Sequence, residues 1–389
     1  MSNLIGKACE IVATLATLSG FAYAFISLFG ALKFSRERKV APVSTFTPPV
    51  SILKPLKGTD PEMYQSFRSH CLQNYPQYEI IFGVSDANDP AIAFVEKLKS
   101  EFPDRSIQLV VCRENLGTNT KVSNLAQMLR VASHEMLVVN DSDIRVAPDY
   151  LHDSIGSLRD PKVALVTCLY RAVPGASLGS HLEALGITDF AAGVLAAREL
   201  EGGIHFGLGS TLAFRRQDLL AIGGFEAFSD YLADDYQLGS RLVSHGRTGT
   251  LSSSIVETYL PAYSLAEYVT HQLRWARTVR DSRPWGYAGL VLTSYLFWAC
   301  LTVIFSGRAA WSFALLTFAI VLRVTAILVV GKRALSDASM ISRVLLIPLR
   351  EVLGLFIWAL GFLSHRVTWR GESFTLKHGK LTRLPFGHI

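Results

Sequence analysis

Apolar positions along the chain follow two patterns. From 11 to 32 no charged residue interrupts them, and beyond Trp285 they recur in long runs over 286–305, 309–330 and 341–363. Each run is of the order needed to cross a bilayer. Between 49 and 261 the pattern changes to short apolar, β-branched runs separated by helical stretches. Strands are expected at 50–53, 78–84, 107–112 and 135–139, with helices at 61–73, 90–101 and 120–129. This β-α-β rhythm predicts an α/β domain with a mostly parallel, Rossmann-like sheet, flanked by N- and C-terminal membrane helices. The expected domains are an anchor with basic flank (1–40), a catalytic block (41–284), membrane segments (285–365) and a basic tail (366–389).

The first apolar run is too long for a signal-peptide core, and Lys33, Arg36, Arg38 and Lys39 follow it instead of preceding it. It reads as an uncleaved anchor whose C-terminal side, by the positive-inside rule, faces the cytosol. The tight Ser306-Gly307-Arg308 connection predicts a hairpin of spans returning at Lys332 and Arg333. Arg323, inside the second of these spans, should face protein or a polar cavity, because lipid exposure would be costly. The run at 341–363 carries Pro348, Arg350 and Glu351. A crossing there would strand the basic tail on the far side, so a pair of short re-entrant or interfacial helices is expected.

Composition sharpens this picture. Of 389 residues 50% are apolar and 18% charged, more apolar and less charged than soluble proteins usually are, with mean hydropathy +0.29. The net charge of +6 lies beside the apolar runs, where lipid headgroups are the natural partner. No aromatic-interleaved basic groove or zinc-finger spacing supports a nucleic-acid partner. The five cysteines are scattered and share no regular spacing, which argues against disulfides or zinc and for a reducing compartment.

Ligands of parallel α/β sheets bind at the carboxyl ends of the strands. Those ends carry Lys54, then Ser85-Asp86-Ala87-Asn88-Asp89, then Asn140-Asp141-Ser142-Asp143. No glycine-rich dinucleotide or P-loop signature is present. In extended backbone Asp141 and Asp143 would point to one side and converge on a cation, Mg²⁺ or Mn²⁺, that bridges diphosphate oxygens. Asp86 is a candidate for the donor's base or ribose. Asp234 and Asp235 open a helix-like stretch running to His245, and their spacing leaves two readings open: helix N-terminal charges, or a general base for an acceptor hydroxyl. Arg274 and Trp275, beside the next apolar run, could grip phosphate and wall a sugar, or could anchor the membrane interface.

Taken together, these residues resemble the family-2-like GT-A glycosyltransferases. The closest likeness is to the ceramide glucosyltransferase group, which contains bacterial hopanoid-associated glycosyltransferases. The likeness spans nearly the whole chain, to Thr368-Trp369-Arg370-Gly371. It rests on Ser51-Ile52-Leu53-Lys54-Pro55-Leu56-Lys57-Gly58, on Thr120-Lys121-Val122-Ser123-Asn124-Leu125, and on the Asp-Ser-Asp, Ala-Asp-Asp-Tyr and Arg-Trp segments. The resemblance implies a GT-A fold and inverting transfer of a hexose, glucose or N-acetylglucosamine, from a UDP-sugar to a membrane lipid, sphingolipid or hopanoid. Asp235 would be the base, and Asp141 and Asp143 would hold metal. Lys54, Asp86, Lys121, Asp141, Arg274 and Trp275 would contact the donor. His271 departs from the family's pattern at the first position of the Arg-Trp motif. The catalytic face would be cytoplasmic, at a bacterial inner membrane. Residues 176–197, apolar but carrying His181, Glu183 and Asp189, are expected at the membrane interface, where they would admit the lipid; a plain buried helix is the other reading. The few membrane helices speak against a processive synthase, and the complete carboxylate set speaks against an inactive scaffold.

Overall fold

A computed structural model describes residues 2–40, 44–244, 246–369 and 371–383. Arg370 in the tail motif, His245 at the end of the expected helix and the last residues of the tail lie outside them. The chain forms two compact units that cut across its linear order. One comprises Met1–Arg36, Ser177–Leu200 and Tyr263–Ser364; the other comprises Glu37–Ala176, Glu201–Ala262 and His365–Ile389. Hydropathy alone groups neighbours in sequence. The folded chain instead assigns residues 177–200 to the helical unit and the tail to the α/β unit.

The α/β unit is built on strands β1 (Val50–Leu56), β2 (Tyr78–Val84), β3 (Ser106–Val111), β4 (Met136–Val139), β5 (Ile144–Arg145), β6 (Val163–Thr167) and β7 (Tyr170–Val173). It continues with β8 (Leu212–Arg215), β9 (Thr248–Leu251), β10 (Val256–Tyr259), β11 (Arg366–Trp369), β12 (Glu372–Lys377) and β13 (Lys380–Arg383). The main sheet runs in the order β3-β2-β1-β4-β8-β6-β9. All its pairings are parallel except those of β8, which is antiparallel to both β4 and β6. β1, β2 and β4 are buried along their whole length, as near-continuous apolar strands covered on both faces must be. One core packs Phe67, Phe82 and Val138; the other packs Leu53, Leu125 and Phe214. The helix Thr120–Leu129 starts where Asn119 caps it, its side chain accepting from Val122 N.

β5, β10 and β7 pair as a small three-stranded sheet, and the tail forms another, β11-β12-β13. Leu381 N donates to Asp230 O at 2.7 Å, and Leu232 N donates to Gly379 O at 3.0 Å. Leu232 packs among Val367, Phe374, Leu376 and Leu381. The tail therefore clasps the segment just before Asp234.

In the helical unit the first helix runs from Ser2 to Val40. Ala310–Ala334 is long and apolar enough to cross a membrane, as is Leu4–Val40. The expected span at 286–305 is broken: Pro284–Thr293 and Tyr295–Phe305 meet at 57°. Arg308 (φ 63°) and Gly307 (φ 66°) form the tight turn into the next helix. The expected pair of short helices at 341–363 is instead one helical run, Met340–Gly361, also long and apolar enough to cross. Pro348 does not break it: the 3-10 turn Val344–Leu346 precedes it, and it sits in the first turn of the α-segment Ile347–Gly361, where its missing N–H has no α-helical partner to lose. Arg323 faces protein. It donates to Asp189 at 2.7 Å and to Glu351 at 2.7–2.8 Å, tying three helices together. The stretch expected at the interface is the helix Leu178–Glu201 of this unit, with Leu182, Glu183 and Leu185 buried.

Candidate active site

The first layer of the site is the turn between β4 and β5. Asn140 extends the ladder by donating its N–H to Leu53 O at 3.2 Å, and its side chain donates to Ser210 O at 2.7 Å. Asp141, Ser142 and Asp143 then leave the strand, and Ile144 N closes the turn on Asp141 O at 3.4 Å. The backbone here is a turn and not the extended strand that the spacing suggests. Asp143 accepts from the Thr258 hydroxyl on β10, whereas Asp141 faces Lys121. Burial, with Asp141 adding to it, pushes the Asp143 carboxyl up to about 6.

Lys54 lies beneath this turn and is fully buried. Its Nζ donates to the Asp141 carbonyl at 2.9 Å, so it supports the turn from inside the sheet and offers no exposed charge to a donor. Burial lowers its pKa to about 7, against the opposing pull of Asp143, Asp141 and Asp60. Asp60, which sequence reasoning did not single out, accepts from Ser142 and anchors the turn's other side.

Lys121, in the first turn of helix 120–129, lies 2.7 Å from Asp141 Oδ1 and 2.9 Å from Asp234 Oδ2. Burial disfavours its charge, but Asp141 and Asp234 outweigh it, and the net effect raises its pKa. Asp235 opens the helix Asp234–Leu242 beside it. Its Oδ2 accepts from Gly209 N at 3.0 Å and its Oδ1 from Tyr236 N at 2.7 Å. Burial first, then Asp234, push the Asp235 carboxyl up to about 6. Gly209 is also beyond what sequence reasoning named; its signal was the small-residue run Gly207-Leu208-Gly209-Ser210-Thr211 before β8.

The structure thus brings Lys54, Lys121, Asp141, Asp143, Asp234 and Asp235 into one group. Asp86 stands apart from it: exposed at the end of β2, it accepts from Asn88 N at 2.9 Å within its own turn. Arg274 and Trp275 lie in the helical unit on the helix Leu265–Ser282, which opens with a Ser264–Glu267 capping box. There Arg274 contacts His271 Nε2 at 2.9 Å, and Trp275 meets Phe190 edge-on at 5.8 Å.

Among the described residues no group of three or more His, Cys, Asp or Glu side chains is arranged as metal ligands. Mg²⁺ commonly takes only one or two protein carboxylates and completes its shell with phosphate oxygens and water. Asp141 meets that requirement, with a hard oxygen at Oδ2 lying over Gly209; Asp143 has one oxygen already engaged by Thr258.

This sheet order, with acidic turns at its strand ends, defines a GT-A glycosyltransferase fold. A mannosyltransferase from Pyrobaculum calidifontis, solved with GDP-Man and Mn2+, superposes with a TM-score of 0.53 at 20% identity, covering 88% of this chain and 99% of that one. Residues 12–382 match Glycosyl transferase family 21, and the chain belongs to that family. Ceramide glucosyltransferase 3 of Caenorhabditis elegans is 27% identical over 274 residues, covering 68% of this chain and 59% of the relative. Ceramide glucosyltransferase of Komagataella phaffii is 24% identical over 327 residues, covering 70% of this chain and 64% of the relative. The chain spans less than two thirds of the length of both.

Proposed function

We propose that this protein transfers a hexose, glucose or N-acetylglucosamine, from a UDP-sugar to a hydroxyl of a membrane lipid, with inversion at the sugar carbon. The observation that carries this reading is Asp235: a carboxylate held by two backbone N–H groups, raised to about 6, beside the Asp141–Lys121–Asp234 chain. A base near neutrality suits removal of a proton from an alcohol as it attacks. Asp235 takes the acceptor's proton, the acceptor oxygen bonds to the anomeric carbon, and the bond from that carbon to the diphosphate breaks. The negative charge leaves with the nucleotide diphosphate. A divalent cation held by Asp141 would supply charge neutralisation for that leaving group. The Mn2+ reported with the Pyrobaculum mannosyltransferase supports this choice of partner. Lys121 orients Asp141 and Asp234, and Lys54 holds the turn that carries Asp141.

A lipid acceptor is supported by the apolar helices and by the ceramide glucosyltransferase relatives. The positive flank Lys33, Arg36, Arg38 and Lys39 supports a cytoplasmic catalytic face. Ceramide is the acceptor the relatives favour, and a polyol hopanoid is the alternative. The test is transfer of radiolabelled UDP-glucose or UDP-N-acetylglucosamine to each lipid in vesicles. Asp235→Asn should lower turnover by about 10²–10⁴-fold while donor affinity holds. Undiminished turnover would remove Asp235 as the base.

A further inference from the structure

Polar side chains also converge in the helical unit, away from the carboxylates described above in sequence and in element. Glu183 on helix 178–201 is 2% exposed. Its Oε2 accepts from Gln272 Nε2 at 2.8 Å, and its Oε1 lies 3.2 Å from His271 Nδ1. Gln272 Oε1 lies 3.5 Å from Arg350 Nη2 on the last helix. Tyr268, one turn before Gln272, is fully buried in a cluster with Leu182 and Ile357, and its hydroxyl has no hydrogen-bond partner. Arg350 Nε is buried and unpartnered as well. The charges acting on the Tyr268 hydroxyl are those of Arg350, Glu183 and Asp189.

A buried hydroxyl without a partner bears the full cost of its desolvation, which a hydrogen bond would offset. Native proteins leave few such groups, and a bound molecule is one explanation for those they leave. The available chemistry is one hydroxyl that can donate or accept, one fixed carboxylate that accepts, and one guanidinium N–H that donates. Uncharged hydroxyl and amide groups match that set. A phosphate does not, because the Glu183 carboxylate would repel it in a desolvated setting. The last helix exposes Leu349, Val352 and Phe356, which suits a molecule with a hydrocarbon body and a small polar head.

We infer that Tyr268, Glu183 and Arg350 form a binding site for the uncharged, hydroxyl-bearing head of the lipid acceptor. The inference rests on the lipid-acceptor reading above, but lipid binding can be measured without transfer. The experiment uses the full chain in nanodiscs of neutral phospholipid and measures retention of radiolabelled ceramide and, separately, of a radiolabelled polyol hopanoid. Tyr268→Phe removes a hydroxyl with no protein partner, so its thermal midpoint should equal or exceed the wild type's. Its affinity for the retained lipid should fall about tenfold, the worth of one good hydrogen bond. Glu183→Gln should shift affinity in the same direction. Unchanged retention in both variants overturns the site, as does a wild type that retains neither lipid or one from which anionic phospholipid displaces the label equally well. Transfer itself is scored separately: a wild type that binds lipid but releases UDP only to water would refute the proposed activity and leave this site standing.

Discussion

Gly209 donates its backbone N–H to Asp235, and the same glycine lies so close to Asp141 that a methyl group there would stand 2.8 Å from Asp141 Oδ2 and 3.5 Å from Asp235 Oδ2. One residue without a side chain thus sets the spacing between the carboxylate assigned to the metal and diphosphate and the carboxylate assigned as base. Gly209→Ala should displace Asp141 by several tenths of an ångström. Misplacement on that scale lowers turnover by roughly 10–100-fold. A steady-state assay beside an unchanged thermal midpoint would verify it; wild-type turnover would show that the spacing does not matter.

The raised pKa of Asp235 predicts a pH profile. The base works when ionised, so kcat/KM should be flat above its pKa and fall about tenfold per pH unit below about 6. For stability the sign is opposite. A carboxyl that holds its proton more tightly when folded than when unfolded favours folding at low pH, and that contribution is lost as pH rises through about 6. Activity and this group's share of stability should therefore move in opposite directions over the same window. A profile level down to pH 4 would exclude Asp235 as the titrating base.

Lys121 separates Asp141 from Asp234, so Lys121→Met leaves the two carboxylates facing each other with no cation between them. Loss of charged hydrogen bonds at this partly buried place should cost about 1.5–3 kcal/mol. The donor's diphosphate then meets uncompensated negative charge. Its KM should rise by at least about tenfold on that figure. Lys121→Arg should restore part of the loss.

Chelation should suppress transfer, and added Mn²⁺ or Mg²⁺ should restore it in wild type but poorly in Asp141→Asn. Full activity in chelator would mean that Lys121 alone balances the leaving diphosphate.

Arg323→Met should destabilise the helical unit by roughly 3–5 kcal/mol, because it leaves Asp189 and Glu351 without a counter-charge. Combining it with Asp189→Asn and Glu351→Gln should recover most of that loss. Thermal unfolding in detergent distinguishes the single from the triple variant.

What the sequence made legible follows from locality. β2 and the helix Thr120–Leu129 were expected at their observed bounds because each is a self-contained pattern: an apolar run in one case, a capped amphipathic turn in the other. Arg323 was legible from the expense of an exposed charge in lipid. Three features depend on residues far away in sequence and were not readable. The expected strand stops before Lys54, yet Lys54 lies inside β1 and its burial is set with the β4–β5 turn, 87 residues further on. The Asp-Ser-Asp segment turns instead of extending because Asp60 and Thr258 hold it. Gly209 reaches the site only because β8 enters the sheet antiparallel.

The clasp between the tail and residues 230–232 fixes a parity. Two segments joined by main-chain hydrogen bonds share one face of any bilayer, so the chain between Ala262 and His365 crosses an even number of times. Three stretches there qualify by length and composition, counting the bent pair as one, and all three cannot cross. A single crossing by the first helix would make the total odd. A tag before the first helix and a tag after β13 would then report from opposite faces of the bilayer.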